Sequence, residues 1–293
     1  MTRTQKTIKE LRSEQYSYSL EECPYLFDFI RNPYSFLKAR FLMENSAILV
    51  WFLLKTNIKP NTVSVIYGLA GIATGILLSI PNNYTIFIAL VIAFTKGILD
   101  WSDGHLARVT GRTSLTGHIL DVYGATLNSL GLQIGLGLYV ANRTEAIFYY
   151  YLVILLLFFR AASLLFFSRN VLFDELSSQN TVSNYKKIFD KSDDNKLNVN
   201  NSVNLNEKKY INYLRNFLDD RGRSVDFICL IILLELFSLV NISWILFLLI
   251  VIKYFFIFTG SFYKVARGGW AENEISNKLM KLHRMLNKIA PMI

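Results

Sequence analysis

The sequence predicts an all-α polytopic membrane protein with six transmembrane helices and flanking interfacial amphipathic helices. Hydrophobic residues make up 52% of the 293-residue chain, and charged residues make up 18%, a smaller share than soluble domains carry. The mean hydropathy is +0.31. Apolar runs near the length of about 20 residues that a helix needs to cross a bilayer recur at 62–80, 84–102, 117–140, 146–168, 225–241 and 242–262.

The excess of basic residues favours a membrane partner. The net charge is +9, and the Lys and Arg residues lie between and beside the apolar runs rather than on one polar domain. This arrangement suits an anionic lipid surface, so we expect membrane lipids as partners and no nucleic acid. Two cysteines, Cys23 and Cys229, are too few for a disulfide framework or a cysteine metal site.

Segments on either side of the spans have a different composition. Residues 1–57 are predicted to form a cytoplasmic or interfacial segment, with a helix at 33–56 lying along the headgroups because its run "AILVWFLLK" is too short to cross. A seventh span is the alternative interpretation. Residues 58–265 form the predicted membrane domain, in which 170–224 is a polar, mostly disordered cytoplasmic loop. Residues 266–293 have the pattern of a basic amphipathic helix.

The distribution of basic residues also predicts the topology. Most Lys and Arg residues lie in the N-terminal 60 residues, the 103–116 loop, the 169–224 segment and the C-terminus. By the positive-inside rule, both termini and the 103–116 loop are cytoplasmic. An even number of spans in a cytoplasmic, or inner, membrane agrees with that orientation.

Acidic residues cluster at the hinge between the second and third spans. Asp100 and Asp103 share a helix face, and Asp121 lies about one turn into the third span, so two antiparallel helix ends would bring three carboxylates together. Such groups repel each other unless cations lie among them, and hard oxygen ligands suit Mg²⁺, Mn²⁺ or Ca²⁺. Two ions of this kind stabilise phosphoryl displacement. The alternative is an acidic turn that is simply solvated at the membrane face.

The residues around these acids also suit the binding of a phosphate-containing ligand. Gly104 lacks a Cβ and lets a ligand approach the backbone. Ala107 keeps the same face open, and Arg108 offers a planar fork for phosphate oxygens.

The string Asp100-x₂-Asp103-Gly104-x₂-Ala107-Arg108-x₈-Gly117-x₃-Asp121-x₃-Ala125 resembles the signature of CDP-alcohol phosphotransferases, also called CDP-alcohol phosphatidyltransferases. That signature is D-x₂-D-G-x₂-A-R-(x)ₙ-G-x₃-D-x₃-D, and this chain departs from it at the last position. The resemblance covers roughly residues 58–265.

The resemblance implies a six-helix membrane domain, usually a homodimer, with an active site open to the cytosol. Members of the family move a phosphoalcohol group from a CDP-linked donor to an acceptor alcohol and release CMP, and one of the two substrates is lipid-linked. The products are phospholipids or related lipids and glycans. Two divalent ions, Mg²⁺ or Mn²⁺, would be held by Asp100, Asp103 and Asp121. The CDP-alcohol would be bound by Gly104, Ala107, Arg108 and Gly117.

Ala125 is the departure from the signature. In the family, the aspartate at this position is thought to take the proton of the acceptor hydroxyl and to help hold a metal, and alanine can do neither. An engineered substitution, a base located elsewhere and a noncatalytic member that binds CDP-alcohol or lipid are the three explanations. His118 is the best candidate for another base, because it shares a helix face with Asp121 and Ala125. Asn128, one turn further on, could orient a hydroxyl but could not take its proton.

Other charged residues occur inside or beside the spans. Lys96 precedes Asp100 by one turn, so we expect an ion pair. Arg112, Arg160 and Lys253 are candidates for binding a phosphate or the acceptor, with solvation, snorkelling or a structural ion pair as the alternatives. Gly71 and Gly75 are predicted to allow close helix packing.

Overall fold

The computed structural model of the protein describes residues 6–163 and 223–266, and no strand occurs in these two ranges. An all-helical fold is therefore confirmed for this part of the chain. Its α-helices are α1 (Ile8–Glu22), α2 (Pro33–Leu54), α3 (Pro60–Ser79), α4 (Asn83–Thr95), α5 (Gly97–Thr110), α6 (Leu115–Thr144), α7 (Ile147–Ala161), α8 (Arg223–Leu236) and α9 (Ser243–Ala266). The predicted loop at 170–224 and the predicted C-terminal helix at 266–293 fall outside the described residues, except for the few that begin α8 and end α9.

The chain divides into two compact units. The first comprises residues 1–150 and 214–247, and the second comprises residues 151–213 and 248–293. All the predicted metal ligands and the predicted CDP-alcohol residues belong to the first unit. Arg160 and Lys253 belong to the second.

Three helices in the described ranges are long and apolar enough to cross a membrane. They are Pro60–Ser79, Asn83–Thr110, which joins α4 and α5, and Ser243–Tyr263. The shorter α7 is also apolar. The 30-residue α6 carries buried polar side chains such as Asn128 and Gln133, which lower its hydropathy. The number of six spans stays a prediction, and so does the interfacial placement of α2.

The predicted loop at 103–116 is wrong. Helix α5 continues to Thr110, and the connection to α6 consists of residues 111–114 alone. Gly111 adopts the left-handed conformation (φ 64°), and its N–H bonds to the carbonyl oxygens of Ala107 and Arg108, which is how a glycine ends a helix. The Ser114 hydroxyl then accepts a hydrogen bond from the Gly117 N–H (3.0 Å) and caps α6. Polarity rises at Asp103, but the residues that stop the helix come only at Gly111.

Helices α3 and α6 pack through glycines at very short range. A Cβ added to Gly71 would lie 2.3 Å from the Cα of Asn128, and one added to Gly131 would lie 1.9 Å from the carbonyl oxygen of Gly71. Gly75 and Gly135 continue the same contact, with a Cβ on Gly135 at 2.8 Å from the Cα of Gly75. The predicted packing role of Gly71 and Gly75 is confirmed. We call this glycine contact between α3 and α6 the seam. It fixes the position of α6 along α3, and therefore the positions of Asp121, Ala125 and Asn128.

The N-terminal helices pack on this framework. Leu11 of α1 shares a buried cluster with Ala47 and Val50 of α2, Val63 of α3 and Leu106 of α5. Helix α1 begins with a capping box in which Thr7 and Glu10 exchange hydrogen bonds. The backbone N–H and hydroxyl of Thr7 lower the pKa of Glu10 below its ordinary value. The segment before residue 57 is thus part of the first unit's core.

Glu235 connects the end of α8 to the start of α9. Its side chain is buried, and one carboxylate oxygen accepts the N–H groups of Ile242 (2.8 Å) and Ser243 (2.7 Å) at the start of α9. The other oxygen accepts the hydroxyl of Tyr139 (2.9 Å), and Arg143 lies 3.8 Å away. A buried carboxylate is stable in such a setting because every oxygen is bonded.

Candidate active site

The first unit brings Asp100 and Asp121 together, as the sequence predicts. Asp100, in the first turn of α5, interacts electrostatically with both Asp103 and Asp121, and Tyr67 of α3 lies beside it in the lining of the same cavity. Asp100 is also within hydrogen-bonding reach of Asp121. Two ionised carboxylates have no hydrogen to share, so this contact needs a proton or a cation between them.

Asp103 is held by different partners. One of its oxygens accepts the Ser64 hydroxyl of α3 (2.5 Å), and the other accepts the Gly104 N–H (2.5 Å). The side chain is 6% exposed. Asp103 and Asp121 still interact electrostatically, so all three acids act on a common region.

The three acids meet only part of the requirement for a metal site. Their oxygens have the hard-ligand chemistry of Mg²⁺ or Mn²⁺, and the Asp100–Asp121 contact is one that a cation would relieve. In residues 6–163 and 223–266, however, no group of three or more His, Cys, Asp or Glu side chains converges as a metal centre. Asp103 differs from the other two acids in that its oxygens accept hydrogen bonds from the Ser64 hydroxyl and the Gly104 N–H.

A cavity of about 270 Å³ opens beside the Asp100–Asp121 pair. It is lined from α6 by Asp121, Ala125 and Asn128, and from α3 by Tyr67. Ala125 therefore lies at the predicted position, inside the site, and its methyl group leaves space where an aspartate would extend.

Charged side chains also line this cavity. Lys96, at the junction of α4 and α5, interacts electrostatically with Asp100 and with Asp226 of α8, but the predicted ion pair between Lys96 and Asp100 does not form within 4.0 Å. Asp226 forms an ion pair with Lys38 of α2, whose Nζ lies 3.0 Å from both carboxylate oxygens, and accepts the hydroxyl of Tyr34. These charged groups share the lining with apolar side chains such as Leu42, Phe94 and Trp101.

Arg108 is engaged by the N-terminal helix. One of its terminal nitrogens donates to Oε1 of the buried Gln15 (2.8 Å), and its Cζ lies 3.7 Å from the centre of the Tyr18 ring. Arg108 also interacts with Asp103. The guanidinium therefore lies near the acids as predicted, but α1 supplies part of its environment.

The remaining predicted CDP-alcohol residues lie along α5 and at the start of α6. Gly104 and Ala107 follow Asp100 and Asp103 on one face of α5. A Cβ on Gly104 would lie 3.2 Å from a terminal nitrogen of Arg108, and one on Gly117 would lie 3.1 Å from Oδ1 of Asn61. At either position a Cβ would require the neighbouring side chain to move by a few tenths of an ångström.

Arg112 lies at a second depression. This open hollow of about 400 Å³ is lined by Lys59, Pro60, Asn61, Arg112 and Ser114. Its two basic side chains suit an anion, but whether they bind phosphate stays a prediction.

His118 does not line the cavity that contains Ala125. It is exposed near the start of α6, whereas the cavity is lined by residues one turn or more further along that helix. Its role as a base stays a prediction.

The two basic candidates of the second unit share one aromatic ring. Arg160 has its Cζ 4.8 Å from the centre of the Tyr254 ring, and the Nζ of Lys253 lies 5.2 Å from the same centre. Cation–π contact with Tyr254 accounts for part of how these charges are accommodated. Phosphate binding by either residue stays a prediction.

The sequence pattern did not indicate several of the residues in the site. Ser64 and Tyr67 contact the acids but belong to an apolar run with no motif, and Gln15 lies in a polar helix far from the acids in sequence. Asp226 gave a usable signal, since a carboxylate at the start of a predicted span is rarely unpaired. His105 is also buried, and neither ring nitrogen has a hydrogen-bond partner in the described part of the chain.

Comparison with known proteins supports the predicted family. The family model described as CDP-alcohol phosphatidyltransferase matches residues 57–188, so the predicted resemblance is confirmed, over a shorter stretch than the predicted 58–265. No curated protein and no solved structure matches the chain. The family and the apolar helices indicate an integral membrane transferase that moves phosphoalcohol groups in lipid biosynthesis.

Proposed function

We propose that the protein transfers the phosphoalcohol group of a CDP-linked donor to an acceptor alcohol and releases CMP, because residues 57–188 match the CDP-alcohol phosphatidyltransferase family model. One of the two substrates is lipid-linked. The observation that carries this proposal is the contact between Asp100 and Asp121 beside a cavity open to a ligand. Two carboxylates at hydrogen-bonding distance in a membrane protein are costly and suit a site that receives cations.

Asp100, Asp121 and Asp103 are the residues that would hold Mg²⁺ or Mn²⁺, with two ions expected from the resemblance. When bound, divalent ions neutralise the charge on the diphosphate and on the departing CMP. Gly104, Ala107 and Gly117 leave room for the CDP moiety. Arg108, held by Gln15 and Tyr18, faces the same region and binds a phosphate oxygen.

The reaction is a displacement at the β-phosphorus. The acceptor hydroxyl oxygen forms a bond to that phosphorus, the bond from phosphorus to the CMP oxygen breaks, and the hydroxyl proton passes to a base. His118 is the candidate base on α6. Arg112, with Lys59 at the open depression, supplies positive charge for a phosphate of either substrate, and Arg160 and Lys253 are further candidates for this role.

The orientation follows from the basic loops. The site and both termini face the cytoplasm, where CDP-linked substrates are found, and the protein acts as a homodimer in the cytoplasmic or inner membrane. The distribution of Lys and Arg along the sequence supports this orientation.

The test is CMP release by the purified protein in liposomes, with CDP-linked donors and alcohol acceptors offered in pairs. We expect release that requires Mg²⁺ or Mn²⁺ and stops with EDTA. Asp121→Asn should remove it, whereas Asn142→Ala on the same helix, outside the cavity, should retain it. Release by the wild type that is unchanged in Asp121→Asn contradicts the proposed site.

Ala125 favours a second candidate function. Without a carboxylate at this position the chain could bind CDP-alcohol or lipid and turn it over slowly or not at all. Loss of a general base typically costs about 10²–10⁴ in rate, so binding without measurable release is the result that this candidate predicts.

A further inference from the structure

The N-terminal helix α1 is polar, yet one stripe of it is buried in the first unit. Leu11, Gln15 and Ser19 are 0%, 3% and 6% exposed, and their spacing of four residues places them on one face. The family match begins only at residue 57, so this helix lies outside it. A buried glutamine side chain is costly unless its amide is hydrogen-bonded, so the partner of Gln15 shows what the stripe contacts.

That partner is Arg108, the arginine of the signature. Its terminal nitrogen Nη2 donates to Oε1 of Gln15 (2.8 Å). Because a guanidinium only donates hydrogen bonds, the amide oxygen of Gln15 rather than the amide nitrogen must face it. Tyr18, one turn further along α1, has its ring centre 3.7 Å from Cζ of Arg108. The hydrogen bond fixes one edge of the guanidinium, and the ring contact restrains the group as a whole.

Helix α1 is itself anchored, so these two contacts have a defined position. Leu11 packs in the buried cluster that contains Leu106, two residues before Arg108. On the side of α2, Arg12 forms an ion pair with Glu44 (2.6 Å). The orientation of Arg108 is therefore set by a packed helix rather than by solvent.

The other terminal nitrogen of Arg108, Nη1, lies beside Gly104. A Cβ added to Gly104 would be 3.2 Å from that nitrogen, and Arg108 also interacts electrostatically with Asp103. With Nη2 engaged by α1, Nη1 is the terminal nitrogen that lies next to the signature residues.

We propose that Gln15 and Tyr18 are positioning residues, which hold Arg108 so that its Nη1 binds the diphosphate of the CDP-linked donor. This inference rests on the proposed transferase function. It makes α1 a part of the donor site in this chain, although the family match does not include that helix. If α1 only covered the apolar side chains around Leu106, loss of Gln15 would change stability and not the affinity for the nucleotide.

Binding of CDP tests the inference, because it needs neither the acceptor nor turnover. Purified protein in detergent is titrated with CDP in the presence of Mn²⁺. Gln15→Leu removes the acceptor for Nη2 at similar volume and should raise the Kd for CDP about tenfold or more, the usual effect of a lost hydrogen bond to a charged group. Gln15→Glu supplies a carboxylate acceptor and should keep most of the affinity.

A double variant separates positioning from general damage. In the Arg108→Lys background, Gln15→Leu should cause little further change in Kd, because residues that act through one another are not additive. Gln133→Leu is the matched control, since Gln133 is also 3% exposed and donates to Ser129 on its own helix (3.3 Å). It removes a buried amide that does not contact Arg108, so the Kd should stay unchanged even if Tm falls.

Two further comparisons cover variants that cannot be measured. If Gln15→Leu does not fold, Tyr18→Leu decides, because Tyr18 is 40% exposed and its replacement leaves the buried stripe intact. A raised Kd in Tyr18→Leu supports the inference, and an unchanged Kd overturns it. If Arg108→Lys binds too weakly to measure, Gln15→Glu decides: affinity near that of the wild type supports the inference, and affinity as low as in Gln15→Leu overturns it.

Each contrary result has a separate meaning. If the wild type binds CDP and a folded Gln15→Leu binds it equally well or more tightly, the positioning role is overturned and the transferase function stays in place. The same holds if Arg108→Lys binds like the wild type, or if Gln15→Leu causes its full loss in that background. If the wild type binds no CDP with Mn²⁺ or Mg²⁺, the proposed function fails, and the positioning role fails with it.

Discussion

At the scale of single residues, the site contains two neighbouring carboxylates and an alanine at the position where the family signature has a third. Asp100 and Asp121 meet at hydrogen-bonding range, and Ala125 lies on the wall of the same cavity. The carboxylates and the alanine have opposite consequences for chemistry, since the former can bind cations and the latter cannot accept a proton. The activity of the chain therefore depends on what replaces the carboxylate at position 125.

Restoring that carboxylate separates an impaired enzyme from a complete one. If the chain lacks a base, Ala125→Asp should increase the rate of CMP release, by up to about 10²–10⁴-fold, because the new carboxylate faces the cavity. If His118 or another group already serves as base, the gain should be small, and His118→Ala should abolish release. Measuring kcat for the wild type and both variants distinguishes the two cases. A chain that remains inactive with Asp at 125 and still binds CDP-alcohol is a binding protein.

His105 gives a stability prediction that is independent of the reaction. Its ring is 1% exposed, and neither nitrogen has a partner in the described residues. Replacing a buried polar group that makes no hydrogen bond by an apolar one of similar size is neutral or stabilising. His105→Leu should therefore keep or raise Tm in detergent, whereas Asn142→Leu, which removes two hydrogen bonds, should lower it. A large loss of Tm in His105→Leu would show that the imidazole has a partner in solution.

At the scale of helices, the contact between α3 and α6 sets the geometry of the site. Helix α3 supplies Ser64 and Tyr67, and α6 supplies Asp121, Ala125 and Asn128. The glycines between them place the two backbones so close that a Cβ on Gly131 would lie 1.9 Å from the carbonyl oxygen of Gly71. A change of one methyl group in this seam therefore moves both walls of the cavity.

Gly131→Ala should consequently lower both stability and activity. Overpacking of this kind costs about 1–3 kcal/mol, and it should appear as a reduced Tm together with a loss of CMP release. Gly260→Ala is the matched control, because a Cβ there would meet nothing within 4 Å and alanine is the better helix former. Equal Tm values for the two variants would contradict the close approach of α3 and α6.

At the scale of the whole molecule, the sequence predicted the features that depend on apolar runs and on local signals such as helix-starting residues and motif spacing. The predicted starts of the first span at 62 and of the third at 117 followed from such signals and lie two residues from the observed starts of α3 and α6. The meeting of Asp100 with Asp121 followed from the same signals. The extension of α5 to Thr110 did not, because the apolar run ends at Trp101 while the helix ends only at Gly111. Contacts of distant residues were also beyond reach, such as Gln15 with Arg108 and Lys38 with Asp226. These pairings depend on how separate helices pack.

The predicted metal site is limited in the same way, because it also depends on how separate helices pack. The hard oxygens of Asp100, Asp103 and Asp121 were recognisable from their spacing, but the engagement of Asp103 by Ser64 and the Gly104 N–H depends on α3. Whether the three acids act together is therefore a property of the assembled unit rather than of the motif.

The most direct test of the central claim is binding of a CDP-alcohol with and without divalent metal. Purified protein is titrated with CDP-diacylglycerol in the presence of Mn²⁺ or Mg²⁺ and again with EDTA, for the wild type and for Asp100→Asn. We expect saturable binding that requires the metal and is lost in Asp100→Asn. Binding of equal strength with EDTA, or no binding with either metal, would contradict it.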